Sequence, residues 1–204
     1  MKLPRTFYTQ CDVVAVAKGL LGKVLYTQDD NGCITGGVII ETEGYAGAQD
    51  RASHAYKNRR TKRTEVLFRE GGVAYIYLCY GLHYLMNVVT NQIEIPHAVL
   101  IRALHPLIGI PLMQKRRKTD NIALLSAGPG TLSVAMGITK AHHGVDLRGS
   151  QLWIEDAKIS FVEEEICSGP RIGIDYAGAD AALPWRFWLA SGVHPRLSSI
   201  FTSL

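Results

Sequence analysis

Two stretches limit what this chain can fold into, because each sets two β-forming runs on either side of a very short connection. "KVLYTQDDNGCITGGVIIETE", residues 23–43, turns at Asn31-Gly32, and "VAYIYLCYGLHYLMNVVT", residues 73–90, turns at Tyr80-Gly81. Asn-Gly between apolar runs is a strong hairpin signal. A connection of a few residues joins antiparallel strands only, since parallel strands need a long crossover. Strands are therefore expected near 36–41, 73–79, 84–90 and 98–104. Shorter ones are expected in "SQLWIED", "GPRIGID" and "RFWLASG". Hairpin signals outnumber strand–helix–strand signals. The predicted class is α+β: one domain over residues 1–204, built on a mainly antiparallel curved sheet with peripheral helices.

The helices announce themselves by their ends. "CDVVAVAKGLLG" offers Asp12 as a cap and Gly22 as a stop. "TEVLFREGG" offers Thr64 and Gly71-Gly72 in the same roles. "LIGIPLMQKRRK" is expected to be helical from Pro111, and "GPGTLSVAMGI" is entered through Pro129.

Composition removes several classes of function. A net charge of +4 permits a polyanionic partner without demanding one. Cys11, Cys33, Cys79 and Cys167 are scattered and form no CxxC pair, so neither a zinc site nor a disulfide framework is expected. No metal or other cofactor is predicted. "MKLPRTFYTQCD" lacks the apolar run of a signal peptide, and no window is long and apolar enough to span a bilayer. A cytoplasmic protein away from membranes is expected.

Four segments hold residues fit for chemistry. In "ETEGYAG", Glu41 and Glu43 share a strand face if the strand persists, as a paired acid and base, a pair of metal ligands or a solvated strand end would. In "SHAYKNRRTKR", Arg59, Arg60, Lys62 and Arg63 form a basic loop, either a solvated face or a phosphate contact. In the second hairpin, alternation sends Tyr75, Tyr77 and Cys79 to one face and Ala74, Ile76 and Leu78 to the core. Aromatics close to cations suit stacked nucleobases, and Asn87 breaks an apolar strand with an amide able to read a base edge. In "VLIRALHP", Arg102 breaks another apolar strand and requires a carboxylate partner, with Glu43 a candidate.

Together "ETEGYAG", "SHA", "YIYLCYGLHYLMNVV", "VLIRALHP", "GPRIGIDYAG" and "PWRFWL" resemble the alkyladenine (3-methyladenine) DNA glycosylase family of the mammalian type, in a compact bacterial-like form. The resemblance covers nearly the whole chain. It implies a monomeric, cofactor-free enzyme that flips damaged purines out of duplex DNA and hydrolyses the N-glycosidic bond. By motif match, Glu43 would activate water and Arg102 would position it, with the main chain at Ile172 nearby. Tyr45, His54 and Tyr77 would sandwich the base, and Asn87 would exclude guanine. Tyr80, Gly81, Leu82 and His83 would form a DNA-inserting hairpin tip, although His83 stands where the family carries an aromatic. Two other readings fit the bare residues: a small-molecule hydrolase that uses Glu43, and a non-catalytic nucleic-acid-binding module that does not need it.

Overall fold

The computed structural model describes residues 1–159 and 161–190. Short helices α1 (Arg5–Tyr8) and α2 (Val13–Gly19) lead into strands β1 (Val24–Gln28) and β2 (Ile34–Tyr45). The hairpin β3 (Ala74–Cys79) and β4 (His83–Thr90) follows, then the long β5 (His97–Ile108). Helices α3 (Ile110–Arg117) and α4 (Pro129–Met136) precede three short strands: β6 (Leu152–Glu155), β7 (Ile166–Gly169) and β8 (Arg186–Leu189). Every strand pairing among the described residues is antiparallel. The main path runs β3-β4-β5-β2-β1-β6, and β8 joins β2 to β7. The sheet is strongly curled, and the class is α+β in a single domain.

Local chemistry explains most of these elements. Asp12 caps α2 by accepting from the amides of Val14 at 2.8 Å and Ala15 at 3.2 Å. The helix buries Val13, Val16 and Ala17, and Thr42 of β2 donates to the Ala17 carbonyl at 2.9 Å. The core lies between the sheet and these helices, with Leu20, Leu25, Ile39, Met86, Ile101, Leu132 and Met136 among its buried side chains.

Several expectations are refined. The first hairpin closes through a loop over 29–33, wider than an Asn-Gly turn, because the Asp29 carboxylate accepts from the amides of Asn31 and Cys33. Thr64 precedes a 3₁₀ turn (Glu65–Phe68), but its hydroxyl bonds Arg59 and Thr61 instead of capping that turn. "GPRIGID" is no strand. Its arginine is drawn into a buried ion pair and Gly173 takes φ +76°, so the segment loops. Leu78 is 47% exposed, so its strand face does not stay in the core to the end of the hairpin. "RFWLASG" does hold β8, while Ser191 and Gly192 lie outside the described residues.

Candidate active site

Glu43 owes its place to a change of neighbours along β2. The first half of β2 pairs with β1, and from Glu41 onward β8 takes that edge, setting Glu41 against Trp188 and Glu43 against Arg186. The pairing with β5 is irregular between Ile39 and Thr42. Such irregularities bend a strand and re-aim its side chains. Here both carboxylates reach Arg102 of β5: its Nε donates to Glu41 Oε1 at 2.9 Å, and its Nη1 lies 3.2 Å from Glu43 Oε1. Arg186 adds a second cation to Glu41 at 3.1 Å, with its guanidinium 4.2 Å from the Trp188 ring centre.

Glu43 has no exposed surface. A buried carboxylate is costly unless its oxygens are satisfied, and here they are. The Tyr45 hydroxyl donates to Oε2 at 2.7 Å, and the Ile172 amide donates to Oε1 at 2.8 Å. Tyr45, Ile172 and Arg102 all line one cavity of about 240 Å³, so Glu43 lies against its wall, in direct contact with three of its lining residues.

Behind these donors lies a second network. Arg171 and Asp50 are fully buried and doubly bonded, at 2.5 and 2.9 Å. Arg171 also donates to the carbonyls of Gly44 at 2.9 Å and Asp180 at 3.1 Å. Its guanidinium lies 4.8 Å from the Tyr45 ring centre and 5.2 Å from that of Trp185. The pair therefore fixes the backbone beside Ile172 and backs the Tyr45 ring. Burial, with Glu43 adding, pushes the Tyr45 phenol well above its usual range, so the hydroxyl remains a donor.

The aromatic wall comes from loop 47–58 and β3. His54 Nδ1 is 2.7 Å from the Tyr75 hydroxyl, and its ring meets Tyr77 edge-on at 4.6 Å. Burial lowers the His54 pKa to about 4, with Arg63 and Arg59 adding to the effect, so the ring is neutral at pH 7. Burial raises Tyr75 to about 12 and also raises Tyr77. Asn87 is buried on the same cavity and donates to the Tyr75 carbonyl at 3.2 Å.

At the mouth, the hairpin tip is built differently. Tyr80 at φ +50° and Gly81 at φ +71° both lie in the left-handed region, and the Leu82 amide closes the turn on the Cys79 carbonyl at 3.0 Å. Positive φ at both central positions matches the right-handed twist of hairpin strands. A tyrosine held there stores strain of about 1–3 kcal/mol. It is nonetheless 90% exposed, and Leu82 is 76% exposed. His83 packs on the bare backbone at the start of α4: a Cβ on Gly130 would sit 2.8 Å from its ring.

The basic loop divides. Arg60 is bound to Glu65 at 2.8 and 2.9 Å and to Glu94 at 2.6 Å, and lies 4.6 Å from the Phe68 ring centre. Its charge is already matched. Arg59, Lys62 and Arg63 are exposed and make no ion pair among the described residues.

The family model described as methylpurine-DNA glycosylase (MPG) matches residues 6–192. The chain belongs to the methylpurine-DNA glycosylase family. That membership makes it a DNA glycosylase, a hydrolase of DNA repair. Three bacterial relatives carry the name "Putative 3-methyladenine DNA glycosylase". The Chlamydia felis protein is 47% identical over 92% of this chain and 95% of its own. The Clostridium acetobutylicum protein is 45% identical over 93% and 94%, and that of Bacillus subtilis 44% over 92% of each.

In this glycosylase the cavity gathers Tyr45, His54, Tyr77, Tyr80, Asn87, Arg102 and Ile172, with Glu43 against its wall. Gly81, Leu82 and His83 remain at the exposed tip, and the basic loop stands outside the cavity lining. Sequence reasoning missed Asp50 and Arg171, because nothing in "AGAQD" or "GPRIG" marks those charges as buried. It also missed Tyr176, which lines the cavity and donates to the Ala52 carbonyl at 3.2 Å. No helix among the described residues is long and apolar enough to cross a membrane.

Proposed function

We propose that this glycosylase flips alkylated or deaminated purines (the 3-methyladenine, 7-methylguanine, hypoxanthine and ethenoadenine class) out of duplex DNA and hydrolyses their N-glycosidic bonds. The observation that carries this reading is Glu43: a fully buried carboxylate whose two hydrogen-bond donors, Tyr45 and Ile172, and ion-pair partner, Arg102, all line one aromatic cavity. A binding module has no need of such a group.

Base extrusion is required because the scissile bond is out of reach inside the stack. The extruded base enters between the Tyr45 side of the cavity and the His54–Tyr77 wall. N3- and N7-alkylated purines are cationic, and the electron-rich tyrosine faces attract them. A neutral His54 adds no opposing charge. Asn87 crowds the exocyclic amino group that guanine carries and adenine lacks, which spares normal bases.

Glu43 Oε2 accepts one hydrogen bond from Tyr45, and its second lone pair is the one to take the proton of the attacking water. Arg102 and the main chain at Ile172 hold that water in line. As the base departs, positive charge grows on the sugar and the carboxylate stabilises it. Tyr80 enters the gap left in the stack, with Gly81, Leu82 and His83 against the groove, while Arg59, Lys62 and Arg63 meet phosphates. The enzyme acts as a monomer. No cofactor enters the reaction, and its setting is the DNA of the cytoplasm.

The test is strand scission after alkali on duplexes with a single hypoxanthine or 1,N6-ethenoadenine and on methylated DNA. Wild type should release the base. Glu43→Gln should retain lesion binding and lose about 10²- to 10⁴-fold in single-turnover rate, the range typical of a general base. No scission on any of these substrates, or an undiminished rate in Glu43→Gln, would refute the proposal.

A further inference from the structure

We infer that the groove along the free edge of β3 is a second phosphate track for the DNA backbone, with Lys140 as a contact beyond the basic loop. This rests on the glycosylase reading only in taking DNA as the polyanion.

β3 lies at the end of the sheet, with β4 on one side. In an antiparallel pair, alternate residues turn their amides toward and away from the partner. Ala74, Ile76 and Leu78 turn theirs outward. At Ala74 the edge is closed: its amide donates to the Val145 carbonyl at 2.9 Å, and its carbonyl accepts from Gly144 at 2.8 Å. At Ile76 the His143 ring covers it, with Nδ1 3.0 Å from the carbonyl and 3.3 Å from the amide. At Leu78 no residue among those described takes that role, and the strand opens into a groove of about 460 Å³.

Cations flank this open amide from two separate elements. Lys62 and Arg63 come from the basic loop, pinned where the Thr61 amide donates to Thr64 Oγ1 at 2.9 Å. Lys140 opens a 3₁₀ turn (Lys140–His142) in which the Ala141 amide donates to Thr139 Oγ1 at 3.3 Å. Among the described residues, all three cations are exposed and unpaired and no carboxylate lines the groove. A cleft of one sign focuses its field on an approaching anion. Free backbone amides and lysines together are common partners of phosphate oxygens. Leu78 and Tyr84 supply apolar walls fit for sugars. The groove flanks the strand that leads into Tyr80, so a duplex that takes this wedge brings its backbone alongside.

Lysines also guard free strand edges against other strands, and salt dependence separates guard from contact. Affinity for an undamaged duplex is measured against salt concentration for wild type, Lys62→Ala, Lys140→Ala and the double variant. The slope of log affinity against log salt should fall by about 0.9 for each lysine removed and by about 1.8 for both. Lys140→Arg should keep the wild-type slope. A wild-type slope in Lys140→Ala, with Lys62→Ala shifted or not, would overturn the groove as a DNA track. Undamaged duplex reports this binding even if no base is ever excised, so a failed glycosylase reading is told apart by the scission assay.

Discussion

Glu43 and Tyr80 belong to strands and turns of the same sheet, yet they are held in opposite ways. Glu43 has no exposed surface, and its carboxylate oxygens face two hydrogen-bond donors, from β2 and the loop at Ile172, and an ion-pair partner from β5. Tyr80 is 90% exposed and its backbone sits in the left-handed region. The same contrast recurs among the cations, between the buried Arg171 and the exposed Arg63. Chemistry on a bond needs groups already in position, because moving them during the reaction costs free energy. Contact with a polymer needs groups left open, because a side chain matched within the protein has little to offer outside. Arg60 shows the second rule by its exception: it belongs to the basic loop by sequence and to Glu65 and Glu94 by structure.

The contrast can be broken most forcefully at its buried end. Arg171→Met leaves Asp50 buried without its cation, and chemical denaturation should show a loss of about 3–5 kcal/mol, the range for breaking a buried pair. A loss below about 1 kcal/mol would mean that this network does not frame the site. At the exposed end, Tyr80→Ala should leave stability within about 0.5 kcal/mol of wild type. Its affinity for a lesion duplex should fall by about 1–3 kcal/mol, the worth of one aromatic–base stack. A fall in melting temperature as large as the fall in affinity would make Tyr80 a packing residue instead.

The smallest effect sharpens the boundary between the two regions, at His54. Its folded pKa is about 4, below its usual value of 6.5. The unfolded chain therefore binds more protons between these values, so stability rises with pH there. The contribution is fully present above about 6.5 and is lost as pH falls toward 4. Melting temperatures of wild type and His54→Gln, compared from pH 7 down to pH 4, should show the steeper decline in wild type. Parallel curves would place His54 in water rather than in the aromatic wall.

Which of these features could be read from the chain follows from how far apart the partners lie. The Asp12 cap and the Tyr80-Gly81 turn depend on groups within a few residues, and both are legible. The pairing of Arg102 with Glu43 was foreseeable because an arginine in an apolar strand needs a carboxylate. That Glu41 would share it was not, since the irregular β2–β5 pairing is invisible in the sequence. Asp50 and Arg171 are 121 residues apart, in loops with no periodic pattern, so no local rule joins them. The roles given to Glu43, Tyr45, His54, Tyr77 and Asn87 came from the family resemblance. The structure adds that these side chains meet at one cavity, with Glu43 in contact with the lining rather than part of it.

By itself, the sequence determined the antiparallel class and the hairpin that projects a tyrosine. Turn chemistry and strand alternation are set by neighbouring residues. Only the tertiary structure decided which charges are available. Arg60 was spent on Glu65 and Glu94, Arg171 was buried with Asp50, and Lys140 was brought to the edge of β3. A charge is free or matched according to what the fold sets beside it, and those partners come from distant parts of the chain.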